Sequence, residues 1–111
     1  MDRLIRRGEI WMYEFKSPDK RRPVLVVSNQ KIIDILTYVI VAPISSTIHG
    51  SPTEVVVGIE EGLKHTSAIN LTGLQAVEKL KLVQFISTLD NVLMEQVCTA
   101  LSIATGCSAE S

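Results

Sequence analysis

The sequence predicts a mostly β domain closed by a C-terminal α-helix: an SH3-like barrel or a twisted antiparallel sheet. Three observations carry that prediction. Short aliphatic runs recur along the chain, each bounded by turn residues, which is the pattern of strands. One long amphipathic stretch, residues 89–104, stands at the C-terminal end. The apolar fraction is 46% but only 5% of residues are aromatic, so Val, Ile and Leu must fill a β-rich core. A length of 111 residues predicts one domain with one core, spanning residues 1–111.

The elements follow in order. Ile10–Phe15 alternates and reads as a first strand, and Lys16-Ser17-Pro18-Asp19-Lys20 as a polar turn. Pro23–Ser28 is a second strand, with the proline at its first residue, where a missing donor costs least. Lys31-Ile32-Ile33-Asp34 suits a short helical turn. Tyr38–Ile44 is a third strand, and Pro43 predicts a bulge or an edge near its end. A polar loop, Ser45–Pro52, precedes a short strand, Glu54–Gly58, and a turn over Ile59–Lys64. Ser67–Leu71 and Leu74–Val77 flank Thr72-Gly73, either as a hairpin or as one strand bent at a glycine. Lys79–Phe85 reads as half-buried. A capping box, Ser87 with Asp90, opens the helix, and Leu89, Val92, Leu93, Val97, Ala100, Leu101 and Ala104 share its apolar face. Gly106 ends it, and Ser108–Ser111 reads as a frayed tail.

Composition narrows the function classes. No apolar run approaches the roughly 20 residues that span a bilayer, and the N-terminal residues show no signal core, which predicts an intracellular protein. Cys98 and Cys107 lie nine residues apart, about 13 Å along one helix and too far for a disulfide. They read as free thiols, Cys98 partly buried and Cys107 exposed. With His49 and His65 they match no zinc spacing, so no metal site is expected. The formal net charge is −1, but residues 1–31 hold eight cations against four acids and the remainder three against eight. A basic N-terminal third on an acidic body can face a polyanion.

The sharpest local feature is Lys20-Arg21-Arg22-Pro23, a cationic corner leading straight into Val24-Leu25-Val26-Val27. Arg22 is held beside a rigid ring at the mouth of the core. Its guanidinium is always charged, planar and able to grip a phosphate with two hydrogen bonds. The plainer alternative is a surface ion pair, with Asp19 as partner. Upstream lies Arg7-Gly8-Glu9-Ile10-Trp11, and downstream Val39-Ile40-Val41-Ala42-Pro43-Ile44-Ser45-Ser46-Thr47.

In that order these segments resemble the MazF/PemK family of bacterial toxins, the RNA-cleaving half of toxin–antitoxin pairs. The resemblance runs from about Arg6 to the C-terminal helix and is more specific before Gly50 than after it. It implies an endoribonuclease that cuts single-stranded RNA by attack of the 2′-hydroxyl, leaving a 2′,3′-cyclic phosphate, with no cofactor or metal. It also implies a cytoplasmic homodimer with RNA across the subunit interface, and a cognate antitoxin partner. The family's central arginine maps to Arg22. Its hydroxyl residue, usually Thr, maps to Ser45, with Ser46 as the alternative register; the plain reading of Ser45 is a turn hydroxyl bonding its own backbone. Lys20, Arg21, Ser28, Asn29, Ser46 and Gln75 are the expected RNA contacts, though turn chemistry also accounts for Asn29. His49 is a candidate acid or base by residue type but matches no family position. Trp11 reads as core.

The chain also departs from the family. The loop between the first two strands is short. The later strand, where the family carries an acid or Gln pair and then an arginine, reads Thr72-Gly73-Leu74-Gln75-Ala76-Val77-Glu78. Gln75 stands at the arginine, and only Glu78 keeps the acidic end. Two other readings therefore stay open: a family member that binds RNA or antitoxin without cutting, and a gyrase-binding toxin of the CcdB type acting through its last helix.

Overall fold

The computed structural model describes residues 4–14 and 20–107. The expected strand end at Phe15, the turn over residues 16–19, an Arg22–Asp19 pair and the tail at residues 108–111 lie outside that range.

Among the described residues, seven strands form one antiparallel sheet around β3 (Tyr38–Ser45). On one edge β3 pairs with β2 (Arg21–Val26), from Val24 opposite Pro43 to Val26 opposite Val41. β2 in turn pairs with β1 (Glu9–Glu14), and β1 with β7 (Leu82–Thr88). On its other edge β3 meets two strands end to end. β6 (Gln75–Glu78) pairs with Tyr38–Val41, and β5 (Ser67–Asn70) pairs with Ile44 and Ser45. Pro43, which has no N–H to give, falls in the hand-over between them. That handover takes the place of the expected bulge. Because β5 and β6 lie in line along the same partner, the glycine-bent strand is the form adopted, not the hairpin. β4 (Glu54–Val57) adds to β5. The path β4-β5-β3-β2-β1-β7 leaves β4 and β7 as unjoined ends, so the sheet stays open instead of closing into a barrel.

Tertiary pairing moved several boundaries. β2 starts two residues before Pro23, because Tyr13 and Glu14 of β1 remain paired with Arg22 and Arg21. The cations are thus the outer end of a strand, not a corner ahead of it. The helical turn forms as α1 (Gln30–Ile35), with Asn29 as its cap. A single 3-10 turn fills Ile59–Glu61 and another Lys79–Lys81. α2 runs Asn91–Thr105, and its cap is Asp90, whose carboxylate accepts from the Leu93 amide at 2.8 Å. Ser87 is not the cap: β7 continues through it, and its hydroxyl donates to the Glu61 carbonyl. Gly106 ends the helix at φ 70°, a left-handed geometry that glycine takes without strain.

The two faces of the sheet carry separate cores. Ile10, Leu25, Ala42, Ile44 and Ile69 pack under Val97 and Ala100 of α2. Trp11, Val24, Val26, Val39, Val41, Val77 and Leu82 pack with Ile33 of α1 and Ile5. Each fully buried aliphatic contributes about 1.5–3 kcal/mol, so both faces are firmly held. The predicted helix face is right except for Val92, which is 66% exposed. Cys98 is exposed, not partly buried; both cysteines are free. No helix among the described residues is long and apolar enough to cross a membrane.

Candidate active site

Antiparallel partners share a face of the sheet, and alternate residues along a strand return to it. Tyr13 pairs with Arg22, and Trp11 with Val24. Arg22 therefore projects on the Trp11 face. The β2–β3 pairing ends at Val24 opposite Pro43, and Arg22 and Ser45 each lie two residues beyond that last pair on the same face of the sheet. Ser45 in turn pairs with Ala68 of β5. The two residues singled out as catalytic are 23 positions apart in sequence, and the ends of β2 and β3 bring them to one end of this face.

Their chemistry suits a phosphate. Arg22 is exposed and makes no ion pair among the described residues. Ser45 is exposed too, and its Oγ accepts from the Thr47 amide at 3.1 Å. This is the plain turn reading, but it does not exhaust the hydroxyl. A bond accepted through a lone pair leaves the O–H proton free to donate to an anion. Ser46 lies past the strand end, exposed.

The other expected contacts divide. Gln75 pairs with Val41, so it shares the Arg22 face and is exposed there. Lys20 is exposed just before β2. Arg21 alternates to the opposite face, where Nη2 lies 3.3 Å from the Glu14 carboxylate; such a surface pair is worth about 1 kcal/mol at most. Ser28 is 3% exposed, and its Oγ accepts from the Ile40 amide at 2.6 Å. Asn29 accepts from the Lys31 amide at 2.9 Å as the helix cap. These two sit at the far end of β2, about 20 Å of strand from Arg22, and both are occupied by the fold. His49 is exposed; the Glu54 carboxylate takes its backbone N–H at 3.1 Å and that of Ser51 at 3.2 Å, pinning the loop after Ser45.

Sequence reasoning passed over Tyr13, Asn70 and Phe85. Phe85 is 48% exposed and meets Trp11 edge to face, with ring centroids 5.8 Å apart. Trp11 itself is core at 7% exposure. Alternation in β1 could have put Tyr13 with Trp11; nothing local could have announced which strand lies alongside.

Comparison with known proteins decides the family. The model of the PemK-like, MazF-like toxin of type II toxin–antitoxin systems matches residues 6–105. The chain belongs to this MazF/PemK family. A probable endoribonuclease MazF5 of Mycobacterium tuberculosis is 38% identical over 111 residues, covering 97% of this chain and 99% of the relative. Among solved structures, the Mycobacterium tuberculosis toxin MazF-mt6 superposes with a TM-score of 0.82 at 29% identity, covering 90% of this chain and 98% of that one. A mycobacterial endoribonuclease solved with its cognate antitoxin reaches a TM-score of 0.85 over 95% of this chain and 98% of its own; at 23% identity that likeness is one of fold. This MazF/PemK chain therefore carries Arg22 and Ser45 on the sheet of a toxin fold.

Proposed function

We propose that the chain is the toxin of a toxin–antitoxin pair and a metal-independent endoribonuclease, with Arg22 and Ser45 at its catalytic centre. The observation that carries this reading is an exposed guanidinium, with no ion pair among the described residues, on the same face and at the same end of the sheet as an exposed hydroxyl. In the reaction the 2′-oxygen bonds to phosphorus as the bond from phosphorus to the 5′-oxygen breaks. The products are a 2′,3′-cyclic phosphate and a 5′-hydroxyl. The 2′ proton leaves through water, since a guanidinium is a poor base, and the leaving 5′-oxygen takes one up. Arg22 grips the phosphoryl oxygens and the charge that builds on them, and Ser45 donates one further bond. The nucleophile belongs to the substrate, and a fixed cation meets the charge; the chemistry therefore asks for no metal. The test is end-labelled single-stranded RNA in EDTA. Wild type yields a cyclic-phosphate end and Arg22→Ala does not.

A second reading, a member that binds RNA without cutting, is favoured by one feature. Gln75 is neutral where the family carries an arginine. Affinity for RNA that depends on Arg22, with no product from any RNA, would establish it.

The partners we propose are a cognate antitoxin, single-stranded RNA and a second copy of the chain, meeting in the cytoplasm. The surface that suits the second copy surrounds α1. Leu4 and Ile35 are 77% and 76% exposed, beside Leu36, around a hollow of about 610 Å³. Asp34 and Arg6 share its rim, so a two-fold axis can set the acid of one copy against the base of the other. Light scattering should give a dimer, and Ile35→Asp should give a monomer that keeps its circular dichroism. A monomeric wild type would defeat the assignment.

A further inference from the structure

We infer that Asn70 is a base-reading residue of this site, its side-chain amide donating to an exocyclic oxygen of a nucleotide beside the scissile bond. The inference rests on the ribonuclease reading only for the placing of the RNA strand.

The position comes from the sheet. Ile44 faces Ile69 and Ser45 faces Ala68, so one step along the same register Asn70 faces Pro43. That puts Asn70 on the Arg22 face, diagonal to Ser45, at the roughly 7–8 Å spacing that polar side chains and a nucleotide bridge with ease. It is partly exposed.

The orientation comes from its hydrogen bonds. Oδ1 accepts from the Thr72 amide at 3.0 Å and from the Thr72 hydroxyl at 2.6 Å. A backbone N–H can only donate, so the atom facing it is oxygen and the other end is the NH2 group. Two bonds to one oxygen lock the amide plane. No described residue accepts from Nδ2. Nδ2 lies over Gly73: a Cβ built on that glycine would sit 3.4 Å from Nδ2 and 2.8 Å from Pro43 Cγ. Any larger residue at 73 would fill the space in front of the donor. Glu54 pairs with Asn70 across β4 and β5, but its carboxylate is taken up by the His49 and Ser51 amides, so the locked amide keeps its NH2 group for one acceptor.

An NH2 donor pairs with O4 of uracil or O6 of guanine and is repelled by the amino group that cytosine and adenine carry at the corresponding position. The substitution Asn70→Asp keeps the oxygen that Thr72 bonds and replaces the donor by an acceptor, so it should invert the choice. Asn70→Ser removes the amide but keeps a turn-forming oxygen, so it should flatten the choice.

The experiment measures fluorescence anisotropy on 2′-fluoro oligonucleotides, which lack the attacking hydroxyl, with each base placed in turn at each position. Wild type should favour uracil or guanine at one position by roughly five- to tenfold, the worth of one hydrogen bond. Asn70→Asp should favour cytosine or adenine there, and Asn70→Ser should show no preference. An unchanged base ranking in Asn70→Asp overturns the inference, as does an equal loss for all four bases, which would mark a phosphate contact. Equal binding of every base by wild type, or none, also overturns it. If wild type binds with the stated preference yet cuts no RNA in EDTA, the ribonuclease reading fails and the Asn70 contact stands.

Discussion

Arg7 and Arg22 belong to the same basic third of the chain, and the fold puts them to opposite uses. The Arg7 guanidinium donates to the Val27 carbonyl and lies 3.3 Å from Cys98 Sγ, while its backbone N–H reaches the Gln30 amide oxygen at 2.8 Å. It ties the N-terminal segment to the end of β2, to α1 and to α2. Arg22 sits at the outer end of the same strand, exposed, with no ion pair among the described residues. One arginine is absorbed by structure and the other left for a ligand. Charge counting treats them alike. What separates them is whether the guanidinium lands over orphan carbonyls at a chain crossing or on an open strip of sheet.

The largest effect expected from this contrast is on catalysis. Arg22→Ala should lower the rate of RNA cleavage by about 10²–10³-fold, the loss that follows removal of one aimed donor to a developing anion. Its melting temperature should stay within a degree or two of wild type, since an exposed side chain with no ion pair among the described residues is removed. A matching fall in melting temperature would break the contrast, because Arg22 would then be structural as well.

Arg7→Ala should do the reverse. The buried Val27 carbonyl loses a charged donor, at a cost of about 1–3 kcal/mol, or roughly 4–8 °C per kcal/mol in a domain of this size. Cleavage measured well below the melting point should stay within about twofold. Thermal unfolding followed by circular dichroism, with the RNA assay on the same samples, reads both. Loss of cleavage at an unchanged melting temperature would place Arg7 in the RNA site and erase the distinction.

Local pattern made much of this legible. The aliphatic runs of β2 and β3 announce themselves, as does the helix stop at Gly106, because strand burial and helix termination depend on a few adjacent residues. Arg22 and Ser45 stood out by the order of segments around them. What stayed hidden depends on partners far along the chain. Ser28 ends the expected second strand and reads as an RNA contact; only the passage of β3 beside it shows that its hydroxyl is taken up by the Ile40 amide. Ser87 and Asp90 both suit a helix start, and the pairing of Ser87 with Ile10 keeps it in β7, leaving Asp90 as the cap. Val92 fits the apolar period of α2, yet it stays exposed, on an open hollow that it lines with Val55 of β4. Asn70 was invisible for the same reason: its importance comes from the register that puts it beside Pro43.

The smallest effect concerns Ser45, and it sharpens the contrast from the neutral side of the site. A neutral hydroxyl gives about half the stabilisation of a charged donor to the same anion, so Ser45→Ala should slow cleavage about tenfold where Arg22→Ala costs a hundredfold or more. The hydroxyl also accepts from the Thr47 amide, so a purely structural role would predict loosening of the 46–53 loop instead. Ser45→Thr separates the two. It keeps the lone pair for Thr47 and the proton for phosphate, and its branched carbon suits a strand end. It should cleave within about twofold of wild type, while Ser45→Ala lowers kcat with little change in KM. Equal rates for all three proteins would reduce Ser45 to a turn residue and leave the phosphate to Arg22 alone.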